Sequence, residues 1–484
     1  MSRAPWQREG GESSFLRSAL TTENRYQSRA ELFEWLRARH AASRFEVRPI
    51  AFAEMEQWGF VEGPQHLAHG SGKFFTIEGA RVQTNHGPRP AWDQPIIRQP
   101  EIGILGIVTR VIDGVRYCLM QAKMEPGNVN TLQLSPTVQA TKSNYTRVHE
   151  GKRTRYLEYF LEPGRSTVLV DQLQSEHGSY FLRKRNRNMV VEVNEDIPPH
   201  DDYCWLTLGE LHQLMRRDNL VNMDSRSVLS CIPMVPESWA GHRPAAEGGG
   251  ERIAVFDQSL SGFRRDIFLS MLCRHDALHS VESILSWITR AKSDYEMQVE
   301  PTGLDEVRDW VVTERDIHHA TRQRFRVIAV AVEAGSREVV RWSQPLLHHD
   351  AHALSGFLAQ KIEGVLHFLV RASLKPGNVD GVDVGPTVTC PGYQSVEPEL
   401  RPPFLDLFVD SPPEWVRYST VQSEEGGRFH HFQTRHMLVE LPPDDRLELP
   451  PDFLWMSLGQ LAELLRFGHL NLEARSVLSC LSLI

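Results

Sequence analysis

The sequence repeats itself at long range. Pro-Gly-Asn at Pro126 returns at Pro376, Pro-Thr-Val at Pro136 returns at Pro386, and Trp92 and Trp205 return as Trp342 and Trp455, each with an offset of 250. Gln-Ser-Glu at Gln174 returns 248 residues on at Gln422, and Arg-Ser-Val-Leu-Ser-Cys at Arg226 returns 249 residues on at Arg475. His69 and Phe75 match His319 and Phe325. Blocks in one order at a nearly constant offset require a tandem duplication. Solenoid repeats run to ~20–50 residues, so a unit of this length is a domain rather than one link of an array. Residues 15–232 and 256–484 are expected to form two domains, joined by the Pro-, Gly- and Ala-rich linker 233–255.

Within each unit the pattern is helix, several strands, then a late helix. Ser28 to Ala41 reads as a capped amphipathic helix with Leu32, Trp35 and Leu36 on one face, and Leu278 to Lys292 is its counterpart. Ile102 to Ile112 and Val115 to Gln121 are apolar, β-branched runs around Asp113-Gly114, a hairpin signal whose place Glu363-Gly364 takes in the second unit. Further strands are expected at Lys73 to Ile77, Arg155 to Leu161 and Met189 to Val193. Thr207 to Glu210 and Ser457 to Gln460 are capping boxes opening the late helices. The fold class is therefore α+β: two tandem units with mixed, largely antiparallel sheets and flanking helices. Neither GxGxxG nor GxxxxGK[ST] occurs, so neither a dinucleotide-binding turn nor a P-loop is supported.

The charge balance narrows the partners. A net charge of −9 is opposed to general nucleic-acid or anionic-membrane binding, which needs a basic face. No run approaches the ~18 apolar residues of a membrane span, and the polar start MSRAPWQREGGESS has no signal-peptide core. Six scattered cysteines without a CxxC pair suggest free thiols in a cytoplasmic protein. His348, His349 and His352 are close in sequence but lack an acidic or Cys partner in a fixed pattern, so no metal is expected.

The chemistry concentrates in Gln121 to Tyr145. Gln133, Ser135, Thr137, Gln139 and Thr141 alternate, so an extended segment would place them on one face. Lys123, Glu125, Asn128, Lys142, Ser143, Asn144 and Tyr145 are also polar, and Pro126-Gly127 and Pro136 set turns on either side. A solvated edge strand would also be polar, but amides and hydroxyls dominate here, which suits a ligand rich in hydroxyls and carbonyls. Between copies the scaffold letters PGNV and PTV survive while the ionisable ones change. Lys123 becomes Ser373, Glu125 becomes Lys375 and Gln139 becomes Thr389. This is the pattern of one catalytic copy and one degenerate or binding-only copy. Trp58 and Trp310 are either core residues or base-stacking platforms. The repeated QSExG motif (Gln174 to Gly178, Gln422 to Gly426) is either a turn or a second ligand edge. The run Arg183 to Arg187 is either a solvated face or, through Arg187, a diphosphate clamp.

EPGNVNTLQLSPTVQATKSNY, with the tandem copy ending in RSVLSC, resembles the NDP-hexose 2,3-dehydratases of deoxysugar biosynthesis in actinomycete natural-product pathways, over nearly the whole chain. The resemblance implies two Nudix-like domains per subunit, a homodimer, dTDP-4-keto-6-deoxyglucose as substrate and no cofactor. The Nudix box is absent, in keeping with a non-hydrolytic, metal-free reaction. On that resemblance Glu125 or Tyr145 is the base or acid, with His149 as another candidate base. Lys123 steadies the enolate, and Thr141 to Tyr145 line the sugar. Trp58 and Trp310 stack on the nucleotide, one per pocket, and Arg371, Lys375, Asn378, Thr387 and Tyr393 belong to the second pocket. A sugar-nucleotide binder without turnover and a Nudix-type sugar-nucleotide hydrolase remain the alternatives.

Overall fold

The computed structural model describes residues 13–141, 154–241, 251–335 and 340–484. Each repeat builds one seven-stranded sheet of the same design. In the first the order is Thr167–Ser175, Arg185–Glu192, Gly103–Ile112, Val115–Met124, Tyr203–Thr207, with Leu132–Ser135 and Val138–Ala140 paired alongside. The second repeats it with Val416–Ser423, Gln433–Leu441, Ala353–Ile362 and Val365–Leu374, together with Phe453–Ser457, Val382–Pro386 and Val388–Cys390. Pairing is antiparallel except between Arg185–Glu192 and Gly103–Ile112, and between their counterparts Gln433–Leu441 and Ala353–Ile362. The expected hairpins form: Asp113 and Gly114 take φ of 50° and 80°, and Glu363 and Gly364 take 51° and 83°, the primed-turn geometry that matches strand twist.

Helix ends follow their caps. Ser28 and Glu31 form a reciprocal capping box at Arg29–Ala42, Thr207 and Glu210 do so at Leu208–Leu214, and Ser457 and Gln460 at Leu458–Arg466. The helices that carry the RSVLSC motif, Met223–Ser230 and Leu472–Ser479, pack against each other across the two repeats. Around them one apolar core runs through both halves, from Leu105, Leu134 and Val228 to Phe357, Phe368 and Val477.

The smaller sheets do not respect the order of the chain. Phe45–Ile50 of the first repeat pairs with Arg326–Ala334 of the second, in register from Phe45 opposite Ala334 to Ile50 opposite Ala329. Met297–Thr302 of the second repeat pairs with Thr76–Thr84 of the first, from Met297 opposite Thr84 to Thr302 opposite Gly79. Each repeat thus lends its first strand to the other. Nothing in the residues of a short half-buried strand says which sheet receives it, since the period-two pattern is the same in either.

Two expected strands are corrected. Arg155 to Leu161 is not a strand but a turn followed by the short helix Glu158–Leu161. Its apolar residues Tyr156, Leu157, Tyr159 and Phe160 are all buried and lack alternation, so they wrap one side of a turn. The Phe160 ring lies on Gly106, where a Cβ would come within 2.3 Å of it. The strand expected at Lys73 to Ile77 is displaced to Thr76–Thr84. Among the described residues no helix is long and apolar enough to cross a membrane.

Candidate active site

The Pro-Gly-Asn turn of each repeat is seated in the Gln-Ser-Glu loop of the other. Gly127 donates its N–H to the Gly426 carbonyl at 2.8 Å, and Gly377 donates to the Gly178 carbonyl at 2.7 Å. Glycine is required here by close approach: a Cβ on Gly127 or Gly377 would lie 1.6 Å from the Phe429 or Phe181 carbonyl oxygen. The RSVLSC arginines brace the same junction. Arg226 donates to the Ser423 carbonyl and Arg475 to the Ser175 carbonyl, both at 2.7 Å. Each polar site is therefore walled by both repeats.

In the first site, Val115–Met124 brings Lys123 down the sheet and the turn presents Glu125, buried. Lys123 Nζ lies 3.3 Å from Glu125 Oε1, and Gln139 Nε2 donates to the same oxygen at 2.9 Å. Gln133, opposite Lys123 in the ladder, donates to Ser423 Oγ of the second repeat at 2.8 Å. Glu176, from the Gln-Ser-Glu loop, accepts from Asn186 Nδ2 at 2.7 Å. Asp224 is buried in the first turn of Met223–Ser230, within electrostatic reach of Glu125 and Glu176. Its carboxyl is pushed well above the usual range by burial and then by the charges of Glu425, Glu125 and Glu176, with Lys123 opposing. Among the described residues, Glu176 Oε2, Asn128 Oδ1 and Gln133 Oε1 are buried without a hydrogen-bond partner, as is expected of atoms meant for a ligand.

The second site holds the equivalent positions with opposite electrostatics. Lys375 replaces Glu125 and pairs with Glu473, the counterpart of Asp224. His177 Nε2 lies 2.7 Å from Glu424, the counterpart of Glu176, and Nδ1 lies 3.4 Å from Glu473. Thr434 donates to the other Glu424 oxygen. Burial alone would lower His177, but the Glu424 charge and hydrogen bond, with Glu473 behind them, push it up to about 10. Against its own burial, Glu424 is held down at about 2 by the His177 charge and hydrogen bond. Glu473 is held below the usual range, against burial, by Lys375 and His177. Two cations thus face two carboxylates in the second site, whereas the first keeps an excess of acid.

The other expected site residues fall into three groups. Glu125, Lys123, Gln139, Gln133 and Asn128 come together as described. Thr137 is engaged by the backbone: its hydroxyl donates to the Leu119 carbonyl at 2.5 Å and accepts from Val108 N–H at 2.9 Å, and Thr387 does the same with Leu369 and Leu358. Ser135 is buried and bonded to its own neighbour's carbonyl. The single polar face expected of 133 to 141 is broken at Pro136, between Leu132–Ser135 and Val138–Ala140. Trp58 and Trp310 lie inside an aromatic cluster, their ring centroids 4.9 Å from Phe75 and 5.0 Å from Phe325, with Trp310 Nε1 bonded to the Asp93 carbonyl. That burial is the core alternative. Arg187 makes a two-pronged bond to Asp171 at 2.7 and 2.5 Å.

In the second repeat, Arg371 is bonded to Asp452, Asn378 spends its amide N–H groups on the Ser373 and Gly381 carbonyls, and Tyr393 packs on the neighbouring core. Thr141 lies beside Gly103, whose Cβ would be 3.7 Å from the Thr141 Cα. Lys142, Ser143, Asn144, Tyr145 and His149 lie outside the described residues.

Sequence reasoning missed Asp224, and left the two Gln-Ser-Glu loops, with Glu176 and Glu425, undecided between turn and ligand edge. The recurrence of QSE and RSVLSC was the available signal: both motifs sit where one repeat meets the other's site. Beside the turn, a cavity of about 520 Å³ is lined by Pro126, Asn128, Val129 and Thr131, by Phe45 to Arg48, and by Ala331, Glu333 and His431 of the second repeat.

A family model described as NDP-hexose 2,3-dehydratase matches residues 29–232 and 281–481. A dTDP-4-dehydro-6-deoxy-alpha-D-glucopyranose 2,3-dehydratase of Saccharopolyspora spinosa is 46% identical over 470 residues, covering 96% of this chain and 94% of that protein. A protein of the same description from Amycolatopsis orientalis is 41% identical over 473 residues, 96% and 92% of the two chains. One from Streptomyces violaceoruber is 42% identical over 450 residues, 92% and 95%.

Proposed function

The chain belongs to the NDP-hexose 2,3-dehydratase family, and from that premise we propose that it removes the C2 hydroxyl of dTDP-4-keto-6-deoxyglucose at the first-repeat site, giving the 3,4-diketo-2,6-dideoxy sugar nucleotide. The C4 ketone acidifies the C3 proton. A base takes that proton, the enolate forms, and the C2 hydroxyl leaves with a proton from an acid. Tautomerisation of the resulting enol gives the diketone. The reaction asks for a base at C3, a proton donor at C2 and a positive group toward the enolate oxygen.

The observation that carries this reading is the setting of Glu125. It is a buried carboxylate held between Lys123 and Gln139 in the first repeat, at a place that the second repeat gives to a lysine tied to Glu473. Glu125 is assigned as the base, with Tyr145 and His149 as the other proton-transfer groups, and Lys123 steadies the enolate. Ser143, Asn144 and Thr141 are assigned to the sugar.

One incubation tests the function. Purified enzyme and the 4-keto sugar nucleotide are mixed in the presence of chelator, and the unstable diketone is trapped. Diketone is the expected product. A nucleoside monophosphate would mark a hydrolase, and unchanged substrate a binder. Glu125→Gln is expected to lower kcat by about 10²-fold or more, the usual size of a proton-transfer contribution; wild-type turnover in that variant would remove Glu125 from its role.

A further inference from the structure

Consecutive residues of each Gln-Ser-Glu loop serve different sites. In the first repeat Glu176 turns into its own site and bonds Asn186, while the next residue, His177, crosses into the second site and bonds Glu424 and Glu473. In the second repeat Glu424 turns into its own site, where it meets His177 and Thr434. The next residue is Glu425, the counterpart of His177 at an offset of 248. Its loop lies backbone to backbone on the first repeat's turn: a Cβ at the adjacent Gly426 would lie 2.8 Å from Glu125 Cβ and 2.3 Å from Asn128 Oδ1. Where the second site receives a cation from the other repeat, the first receives a fourth carboxyl.

We propose that Glu425, carried by the second repeat, is the proton donor of the first-repeat site. The proposal rests on the dehydratase reading above and gives the proton-donor role at C2 to Glu425 in place of Tyr145 or His149. Glu125, Glu176 and Asp224 are all buried, whereas Glu425 keeps partial access to solvent. Of the four residues it is the one nearest solvent, while its carboxyl is enclosed by the charged groups that face it. Glu425 faces Arg428 on its own loop, Glu176 and Lys184 on the first repeat's loop, Glu125 on the turn, and Asp224, itself beside Lys123, on the helix. Burial pushes its carboxyl up to about 7, with Arg428 opposing and Glu176 and Glu125 adding to the rise. Glu176 Oε2 and Asn128 Oδ1, beside the same loop, are buried without a hydrogen-bond partner.

The step balances. Once the base holds the C3 proton, the electron pair of the enolate moves into the C2–C3 bond as C4=O re-forms. The C2–O bond breaks, the departing oxygen takes the proton of Glu425, and water leaves. Glu425 remains as carboxylate and is reprotonated from solvent. The C3 enol then loses its hydroxyl proton as C2 gains one.

The experiment separates this step from the one before it. Glu425→Gln, in the full chain, is assayed for turnover and for exchange of the C3 hydrogen of substrate with D₂O. The expected result is a kcat lower by about 10²-fold or more, a KM within a few-fold of wild type, and C3 exchange that persists. Glu425→Asp should recover part of kcat, and wild-type kcat should fall above about pH 7 as the donor ionises, a limb absent from Glu425→Gln. Unchanged kcat, an alkaline limb that survives in Glu425→Gln, or loss of C3 exchange together with turnover each overturns the proposal. Loss of the reading beneath it would show instead as unimpaired Glu125→Gln.

Discussion

Arg226 of the first repeat donates from Nη2 to the Ser423 carbonyl of the second, 2.7 Å away, and from Nη1 to the Val221 carbonyl at 2.7 Å. Arg475 repeats the arrangement in reverse, to Ser175 and Leu470. Both guanidinium groups are fully buried. Charge-assisted bonds of this kind are about 1.5–3 kcal/mol each, and removing the donor leaves two buried carbonyls unsatisfied. Arg226→Ala and Arg475→Ala are each expected to lose at least about 3 kcal/mol in urea unfolding. The effects should be non-additive in the double variant, because both arginines hold one junction. Losses under about 1 kcal/mol would mean the bonds are no stronger than surface pairs.

Gly127 offers a sharper probe of the same junction. Its backbone needs no unusual φ, so alanine costs little in the turn itself, yet its Cβ would meet the Phe429 carbonyl at 1.6 Å. The neighbouring loop must move away, taking Glu424, Glu425 and Gly426 with it. Gly127→Ala is expected to lower the melting temperature and to cut kcat more than it raises KM. Gly377→Ala, which pushes on Phe181 in the second site, should cost stability with less effect on kcat. Equal kinetic losses in the two variants would count against placing the reaction in the first site.

The second site makes a prediction about protonation. His177 is held charged up to about 10 and Glu424 down to about 2. For His177 the folded value lies above the ordinary ~6.5, so its stabilisation is complete below that pH and is lost as pH rises through about 10. For Glu424 the folded value lies below the ordinary ~4.3, so its stabilisation is present above that pH and is lost as pH falls through about 2. Between those ordinary values both contribute in full. Selective ¹⁵N-histidine spectra should show one imidazolium persisting at pH 8.5, assigned by its absence in His177→Gln. In Glu424→Gln burial should win and bring His177 down to or below its ordinary value. A His177 already neutral at pH 7 in the wild type would refute the pairing.

The duplication, the hairpins, the capped helices and the polar turn were all legible, because each is written in local spacing or in letters that recur. Lys123, Glu125 and Gln139 were legible as a group for the same reason: one short stretch changes its ionisable residues between copies. Asp224 was not, since an acid in the first turn of a helix reads as an ordinary dipole partner until the fold brings it within electrostatic reach of Glu125. Glu425 was hidden more deeply, because only the packing of one repeat's loop on the other's turn sends neighbouring residues 424 and 425 into different sites. The period-two run to Thr141 misled at Thr137, whose hydroxyl bridges two strands in both copies. Side-chain alternation gives a face and says nothing about what that face meets.

The exchanged strands set the last expectation. Phe45–Ile50 completes the second repeat's sheet, and Met297–Thr302 completes the first's. A chain cut between residues 241 and 242 would give two halves, each keeping its seven-stranded sheet but leaving Thr76–Thr84 or Arg326–Ala334 with an unpaired edge. An open edge beside an apolar face recruits any matching strand, and the strand each half would lend is free as well. Each half expressed alone should therefore self-associate, by donating its own first strand to a second copy, or aggregate. The two halves expressed together should co-purify as one-to-one complex with dehydratase activity, since both Gln-Ser-Glu loops and both turns are then present. Light scattering reads the first outcome and the trapping assay the second. A stable monomer from either half alone would show that the lent strand is dispensable, and that the repeats are held by Arg226, Arg475 and the shared core rather than by the exchange.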